Sequence, residues 1–250
     1  MDGLILGLDL CDGYTQLSCW GRDENWTLPT AVCRQKDGRW LIGETAYATA
    51  LAGEGSVTDK LIRLVLQDGS DTIYGVKYRA VDLLKCFLEQ VFSLPLEEGK
   101  TVDGSMVKEL VITVPKMKAR LMDGLMYCAD QLKIPKAHVH VISHTEAFMY
   151  FVLSQTRDVW SNHVGLFDLS EKCLCYYEMK VQKNMGQVTA VAEREKLEEG
   201  FALDILSAPQ GVKLADKILC SCGERLLEKK LFSSVFLTGK GFETQQWAGE

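Results

Sequence analysis

The chain has 250 residues, of which 47% are hydrophobic and 25% charged, and its formal net charge is -6. This length and composition suit one large or two ordinary globular domains with a buried core, while the acidic balance and the lack of a Lys/Arg cluster argue against nucleic acid as a partner. No apolar run is long enough to span a membrane and no signal-type segment opens the chain, so the sequence predicts a cytoplasmic protein.

The N-terminal segment predicts a hairpin. Residues 4–9 and 14–20 are predicted strands joined by Cys11-Asp12-Gly13, because Asp-Gly is a strong turn signal. A second hairpin is predicted within residues 28–43, with its turn at Asp37-Gly38. The next segments are predicted in order as a helix over 44–52, a short helix within 58–66 and a strand over 71–80.

Helices and strands then alternate. A helix is predicted over about 80–94, followed by a buried strand in the second half of 106–115. Pro115 is predicted to begin a helix, since a proline at the first helical position loses no hydrogen bond. A strand over 138–143 and a helix over 145–155 follow. This β-α-β-α order predicts an α/β domain with a mixed sheet that closes near residue 158.

The second half of the chain begins with a sequence pattern that repeats the start of the first half. HVGLFDLSEKCLCYYEM (163–179) repeats the pattern of LILGLDLCDGYTQLSCW (4–20): an apolar strand, Asp-Leu, a short polar break and a second strand. Asp9 and Asp168 hold the same place in the two segments. A strand over about 186–196, a helix over about 210–229 and a strand in 233–241 complete this half, and the repetition predicts two similar domains.

The matched hairpins indicate phosphate binding. A hairpin tip presents backbone N–H groups that form an anion-binding concavity, and an Asp at the strand end can hold Mg²⁺ or its waters. Alone, Asp9 or Asp168 can equally cap its own turn. A third element, Thr238-Gly239-Lys240-Gly241, follows a predicted strand, and its glycines permit close approach of a flat ligand; an ordinary β-turn is the alternative.

Nine cysteines raise the question of a metal centre or disulfides. Cys173 and Cys175, like Cys220 and Cys222, are only two residues apart, whereas zinc sites usually have wider spacing. An odd number in a chain predicted to be cytoplasmic favours buried free thiols.

Together these segments resemble the nucleotide-binding domain of the actin and DnaK-type heat-shock chaperone superfamily. The resemblance implies two actin-like (ribonuclease H-like) domains that face each other across a nucleotide cleft. They would cover residues 1–158, with a small inserted subdomain at about 26–79, and residues 159–250, with the second domain incomplete. The segments that carry the resemblance are GLDLCDGYTQLS (7–18), PTAVCRQKDGRWLIGETAYATAL (29–51), LVITVPKMKARLMDGLMYCADQLKI (110–134), HVISHTEAFMYFVL (140–153), GLFDLSEKCLCYY (165–177) and FLTGKGF (236–242).

The resemblance also implies roles for individual residues in binding ATP or ADP with Mg²⁺. Asp9 and Asp168 would hold the hydrated metal, and Asp168 would also take part in catalysis. Either His144 or Glu146 would orient the attacking water, and Lys60 lies near the chaperones' catalytic lysine, with an exposed helix face as the alternative. The phosphate-binding backbone would come from Asp12, Gly13, Tyr14, Ser170, Glu171 and Lys172, and the adenosine loop from Gly239, Lys240 and Gly241.

Departures from the family pattern affect the expected function. The second phosphate loop is usually rich in glycine, but here it is Ser170-Glu171-Lys172, which brings a negative side chain to a phosphate site. The expectation is therefore ATP binding with weak or no hydrolysis and nucleotide-dependent domain closure. A non-catalytic scaffold that acts through protein contacts is the alternative, and a small-molecule kinase is less favoured. The expected partners are the nucleotide and either another protein or a C-terminal remainder of a longer chain.

Overall fold

The chain forms two compact units, Met1–His144 and Thr145–Glu250. The sequence predicts the boundary between its two domains after residue 158. The computed structural model describes residues 3–97, 99–169, 173–184, 187–199, 208–228 and 230–242. Over these residues it is a mixed α/β protein with several sheets and six α-helices. None of the helices in these ranges combines the length and the apolarity that crossing a bilayer requires.

The elements of the first unit alternate largely as the sequence predicts. In chain order they are β1 (Leu4–Leu10), β2 (Tyr14–Cys19), β3 (Asn25–Pro29), β4 (Ala31–Gln35), β5 (Trp40–Ile42), α1 (Gly43–Leu51), β6 (Gly55–Asp59), α2 (Leu61–Leu66), β7 (Ser70–Ile73), β8 (Val76–Arg79), α3 (Ala80–Val91), β9 (Val107–Val114), α4 (Ala119–Gln131) and β10 (Val139–Ser143).

A five-stranded sheet in the order β10-β9-β1-β2-β3 organises this unit. β1 is antiparallel to β2 and parallel to β9, and β10 is parallel to β9. Because side chains alternate along a strand, Leu6, Leu8 and Leu10 enter one buried cluster together with α3 and α4. Gly7 and Asp9 therefore point to the opposite face of the sheet.

The chain between β3 and α3 builds separate small sheets. β4 pairs with β5 and β6, and β7 pairs with β8. The predicted single strand over 71–80 is wrong, because Tyr74 and Gly75 both have positive φ (50° and 79°) and form a two-residue turn within a hairpin. The helix predicted within 58–66 is shorter than that range, since β6 extends to Asp59 and α2 begins at Leu61.

Helix α4 begins later than the sequence predicts. Pro115 does not start it, because the chain bends at Pro115-Lys116 and Lys118 is extended (φ -130°, ψ 130°). The first helical residue is Ala119.

The second unit carries a four-stranded sheet with a helix on each face. Its elements are α5 (His144–Ser154), whose first residue closes the first unit, β11 (His163–Leu169), β12 (Cys173–Asn184), β13 (Gln187–Glu199), α6 (Pro209–Leu227) and β14 (Phe232–Thr238). The strand order is β13-β12-β11-β14. Helix α6 packs near Phe167 and Tyr176 on one face, and Phe148 of α5 lies near Tyr177 on the other.

The two sheets repeat each other in register. In both, a first strand of seven residues is antiparallel to the next strand and parallel to the strand that follows a helix. Asp9 is paired with Thr113 across the parallel neighbour, and Asp168 with Thr238. The register shift against that neighbour also falls at the same place, after Leu4 and after His163. The internal repetition predicted from the sequence therefore extends to strand order and pairing.

Candidate functional site

The polar residues of the first unit converge at the carboxyl ends of parallel strands. Asp9 lies near the end of β1, Thr113 near the end of β9, and His144 directly follows β10. These three strands are neighbours in the sheet, and ligands of open α/β sheets bind outside the carboxyl ends of their strands. The strand order thus brings together residues that are more than 100 positions apart in sequence.

Asp9 is held by two side chains through one oxygen. The Thr113 hydroxyl donates to Oδ1 of Asp9 over 2.8 Å, and Nε2 of His144 lies 2.7 Å from the same oxygen. Sγ of Cys11 lies 3.8 Å from Nε2 of His144. The ligand atoms of Asp9, Cys11 and His144 all lie within 4.8 Å of one another, so these residues are spaced to hold a metal ion.

The carboxyl of Asp9 is ionised at neutral pH. Burial alone would raise its pKa, but the hydrogen bond and charge of His144, together with the hydrogen bond from Thr113, hold the pKa below its ordinary value. The side chain is nevertheless 47% exposed, whereas that of His144 is 15% exposed. Asp9 also lines a cavity of about 310 Å³ together with Gln16, Ser18 and Thr113. Its negative charge is therefore accessible to a cation.

Thr30 fixes the backbone of the first hairpin tip. Its hydroxyl donates to the carbonyl oxygen of Cys11 over 2.6 Å, and its N–H donates to the carbonyl oxygen of Gly13 over 3.0 Å. In a trans peptide the N–H points opposite to the C=O, and the described chain has no cis peptide bond. The N–H groups of Asp12 and Tyr14 are therefore both directed away from Thr30.

Asp12 connects the hairpin tip to α2. Its Oδ1 accepts a hydrogen bond from the N–H of Arg63 in the first turn of α2 over 3.1 Å, so the carboxylate satisfies a donor that the helix leaves unpaired. Lys60, exposed and left-handed (φ 55°), is the N-cap residue of the same helix. Asp12 thus positions the helix start, and with it Lys60, relative to the tip.

In the second unit, Asp168 is 8% exposed and lies opposite Cys175 in the hairpin register. Burial, with the charge of Asp168 next in importance, raises the pKa of the neighbouring Tyr177 hydroxyl well above its ordinary value. Ser170, Glu171 and Lys172, the predicted second phosphate loop, lie outside the described residues.

Each glycine of the predicted adenosine loop has a structural role, one in backbone conformation and the other in packing. Gly239 has φ 96°, a conformation that favours glycine. A Cβ on Gly241 would lie 2.4 Å from Cγ of Leu169, the residue after Asp168, so this glycine lets the loop pack against the end of β11. Lys240 begins a short 3₁₀ helix that ends at Phe242.

Residues 13–250 match a family model described as "Family of unknown function (DUF5716) C-terminal". The chain belongs to the DUF5716 C-terminal family. The match covers 238 of the 250 residues; it includes Asp168 and the whole of β11, and it begins after Asp9 and β1. No curated protein matches this DUF5716 C-terminal chain.

The site differs in detail from the one predicted for this DUF5716 C-terminal chain. His144 contacts Asp9, whereas Glu146, the other candidate for orienting water, is exposed on the first turn of α5. Sequence reasoning missed Thr30 and Thr113. A signal existed for Thr113, which is a hydroxyl near the end of an otherwise apolar run, VITVP (111–115).

Proposed function

We propose that this chain is a Mg-ATP-binding domain of the actin and heat-shock chaperone type, with weak or no hydrolysis. The observation that carries the proposal is the repeated register: each unit places an Asp one residue before the end of its first strand, opposite a Thr on the parallel neighbour. The two sheets share one strand order, β3-β2-β1-β9 in the first unit and β13-β12-β11-β14 in the second, and in each the second strand is antiparallel to the first. This shared order supports the ribonuclease H-like fold expected of that superfamily.

The first unit offers a suitable environment for a hydrated Mg²⁺. Asp9 is ionised, half-exposed and oriented by Thr113, and hard oxygen ligands are those that Mg²⁺ prefers. When bound, the metal would neutralise phosphate charge. The N–H groups of Asp12 and Tyr14, aligned by Thr30, would bind phosphate oxygens, and Asp168 would be the corresponding carboxylate of the second unit.

Weak hydrolysis is expected from two features. His144 directs Nε2 to Asp9 at 2.7 Å, which occupies the nitrogen that would otherwise orient a water. The Ser170-Glu171-Lys172 sequence adds side chains and a negative charge where the actin and heat-shock chaperone superfamily usually has glycine.

A non-catalytic scaffold is the second candidate. It is favoured because the carboxylate of Asp12 caps α2 and the small size of Gly241 serves packing against Leu169. Both features then have a structural reason that requires no ligand.

Calorimetric titration with Mg-ATP tests the proposal. Asp9→Ala and Asp168→Ala should each weaken binding at least about 10-fold, because each removes a charge that supports the metal. Asp37→Ala is the matched control, since Asp37 also lies in an Asp-Gly hairpin but pairs only with exposed Arg39 among the contacts observed there. Unchanged affinity in both test variants, or no binding by the wild type, contradicts nucleotide binding and supports the scaffold. Phosphate release at saturating ATP should remain below ordinary enzyme rates of about 1 s⁻¹.

A further inference from the structure

We infer that Asp9, Cys11 and His144 form a binding site for a thiophilic divalent metal ion of the zinc class. Each residue offers one ligand atom, and the three atoms lie within 4.8 Å of one another. This inference goes beyond nucleotide binding, because two of the three ligands, a thiol and an imidazole, are unsuited to Mg²⁺.

Two of the three distances between ligand atoms can be compared directly with those of a tetrahedral site. With Zn–S and Zn–N bonds of about 2.3 and 2.0 Å, neighbouring ligand atoms lie about 3.3–3.6 Å apart. Sγ of Cys11 and Nε2 of His144 are 3.8 Å apart, and Nε2 and Oδ1 of Asp9 are 2.7 Å apart. A change of about 0.2 Å in the first distance and about 0.6 Å in the second would admit the ion.

The backbone and the neighbours of the ligands are already fixed. The N–H of Cys11 donates to the carbonyl oxygen of Tyr14, and its carbonyl oxygen accepts from Thr30, so the position of the thiol is set by the hairpin. Thr113 donates to the Asp9 carboxylate, the kind of outer-shell hydrogen bond that ligating carboxylates usually receive. The site is therefore preorganised by three strand ends.

Three protein ligands leave a fourth tetrahedral position for water. Binding requires that Cys11 lose its thiol proton to solvent and that Nε2 of His144 present its lone pair. Any proton on Nε2 moves to Nδ1 or to solvent, and no electron is transferred. Uptake of one metal ion therefore releases at least one proton.

Titration of the nucleotide-free chain with Co²⁺, a spectroscopic substitute for Zn²⁺, tests the inference. The wild type should bind one ion with a thiolate-to-metal charge-transfer band and the intense visible bands of four-coordinate cobalt, and excess Mg²⁺ should not displace it. Cys11→Ser should abolish the charge-transfer band and weaken binding at least about 100-fold, a larger loss than outer-shell substitutions usually cause. Cys19→Ser is the matched control, since both thiols are 6% exposed, and it should behave as the wild type.

His144→Ala should also weaken Co²⁺ binding while the far-ultraviolet circular dichroism stays unchanged. A wild-type spectrum without a thiolate band, or a band that persists in Cys11→Ser, overturns the site. X-ray absorption of the Zn²⁺-loaded wild type gives a readout that needs no variant: one sulfur in the first shell supports the site, and a shell of nitrogen and oxygen alone overturns it. Because these measurements contain no nucleotide, their failure is distinct from failure of Mg-ATP binding.

Asp9 would belong to both sites, so the two ligands should compete. Saturating Zn²⁺ should lower the affinity for Mg-ATP in the wild type, and Cys11→Ser should remove this effect while it retains Mg-ATP binding. Equal inhibition in both proteins would place the inhibitory zinc elsewhere and overturn the competition.

Discussion

Thr30 is the residue on which the conformation of the first hairpin tip depends most directly. Its hydroxyl is 2.6 Å from the Cys11 carbonyl oxygen and 2.7 Å from Oγ1 of Thr15, and both threonines are buried. Thr30→Val removes the central hydroxyl and leaves the hydroxyl of Thr15 without this partner. A buried polar group that loses its partner costs about 1–3 kcal/mol.

We therefore expect Thr30→Val to lower the free energy of unfolding by that amount in urea titrations and to weaken tripolyphosphate binding. The matched control is Thr27→Val, because Thr27 is exposed on β3, the strand that directly precedes Thr30. Equal stability of the two variants would contradict the role assigned to Thr30.

Glu178 makes the stability of the second unit sensitive to acid. Burial would raise its pKa, but hydrogen bonds from Lys230, His163 and Tyr176 outweigh this and hold the pKa below its ordinary value. Since the unfolded chain then binds the proton more readily, this contribution is present above the unfolded value of 4.5 and is lost as pH falls below it through the folded value.

Glu178→Gln should flatten the decline in unfolding free energy below about pH 4.5 and lower stability at pH 7 by about 1–3 kcal/mol. Urea titrations between pH 3 and 8 measure both effects. Glu224→Gln, on the exposed side of α6, is the control and should keep the wild-type acid decline. An unchanged decline in Glu178→Gln would show that the cluster does not lower the pKa.

At the residue scale, the sequence predicts part of the site. Asp9 could be found because an acid ends an apolar strand before a turn. The pairing of Asp9 with Thr113 and His144 could not be found, since these residues are 104 and 135 positions away and reach Asp9 only through the strand order. Local pattern carries no information on such pairing.

At the scale of elements, Gly241, which follows β14, is required by packing rather than by backbone conformation. Gly241→Ala would place Cβ 2.4 Å from Cγ of Leu169 and should destabilise the second unit by about 1–3 kcal/mol, as overpacking usually does. Gly223→Ala provides a matched comparison, because Gly223 lies inside α6 with open space around it. This second variant should stabilise the unit by up to about 1 kcal/mol.

Thermal unfolding monitored by circular dichroism distinguishes the two glycine variants. Similar melting temperatures would mean that the close contact at Gly241 relaxes without cost.

Hydrophobic periodicity predicts most elements, and the failures have local causes. The strand predicted over 71–80 is a hairpin because Tyr74, a bulky residue, adopts the positive φ usually left to glycine or asparagine. The start of α4 at Ala119 depends on the extended conformation of Lys118, for which the sequence around Pro115 gives no signal.

At the scale of the whole molecule, the strand order repeated in the two sheets shows why the similarity between residues 4–20 and 163–179 predicted two similar domains. The four residues between Leu10 and Thr15 correspond to the four between Leu169 and Leu174, so the hairpins have equal length as well as equal register. A chance resemblance between two strand–turn–strand segments would not extend to their parallel neighbours.

Each unit also has its own buried clusters. The cluster of the first unit runs from Leu6 to Val139, and those of the second unit lie between Phe148 and Phe242. The first unit, residues 1–144, has the size of an ordinary domain. We therefore expect a fragment of residues 1–144 to fold alone and to unfold cooperatively in urea.

Leu84→Ala and Leu51→Ala provide a matched pair within that fragment, because Leu84 is fully buried and Leu51 is 93% exposed. The first should cost about 2–5 kcal/mol of unfolding free energy, and the second should have little effect. Circular dichroism and the fluorescence of the tryptophans of the fragment report the transition. A broad, non-cooperative transition, or equal effects of the two substitutions, would mean that the core of the first unit is not sufficient and that its stability depends on residues after His144.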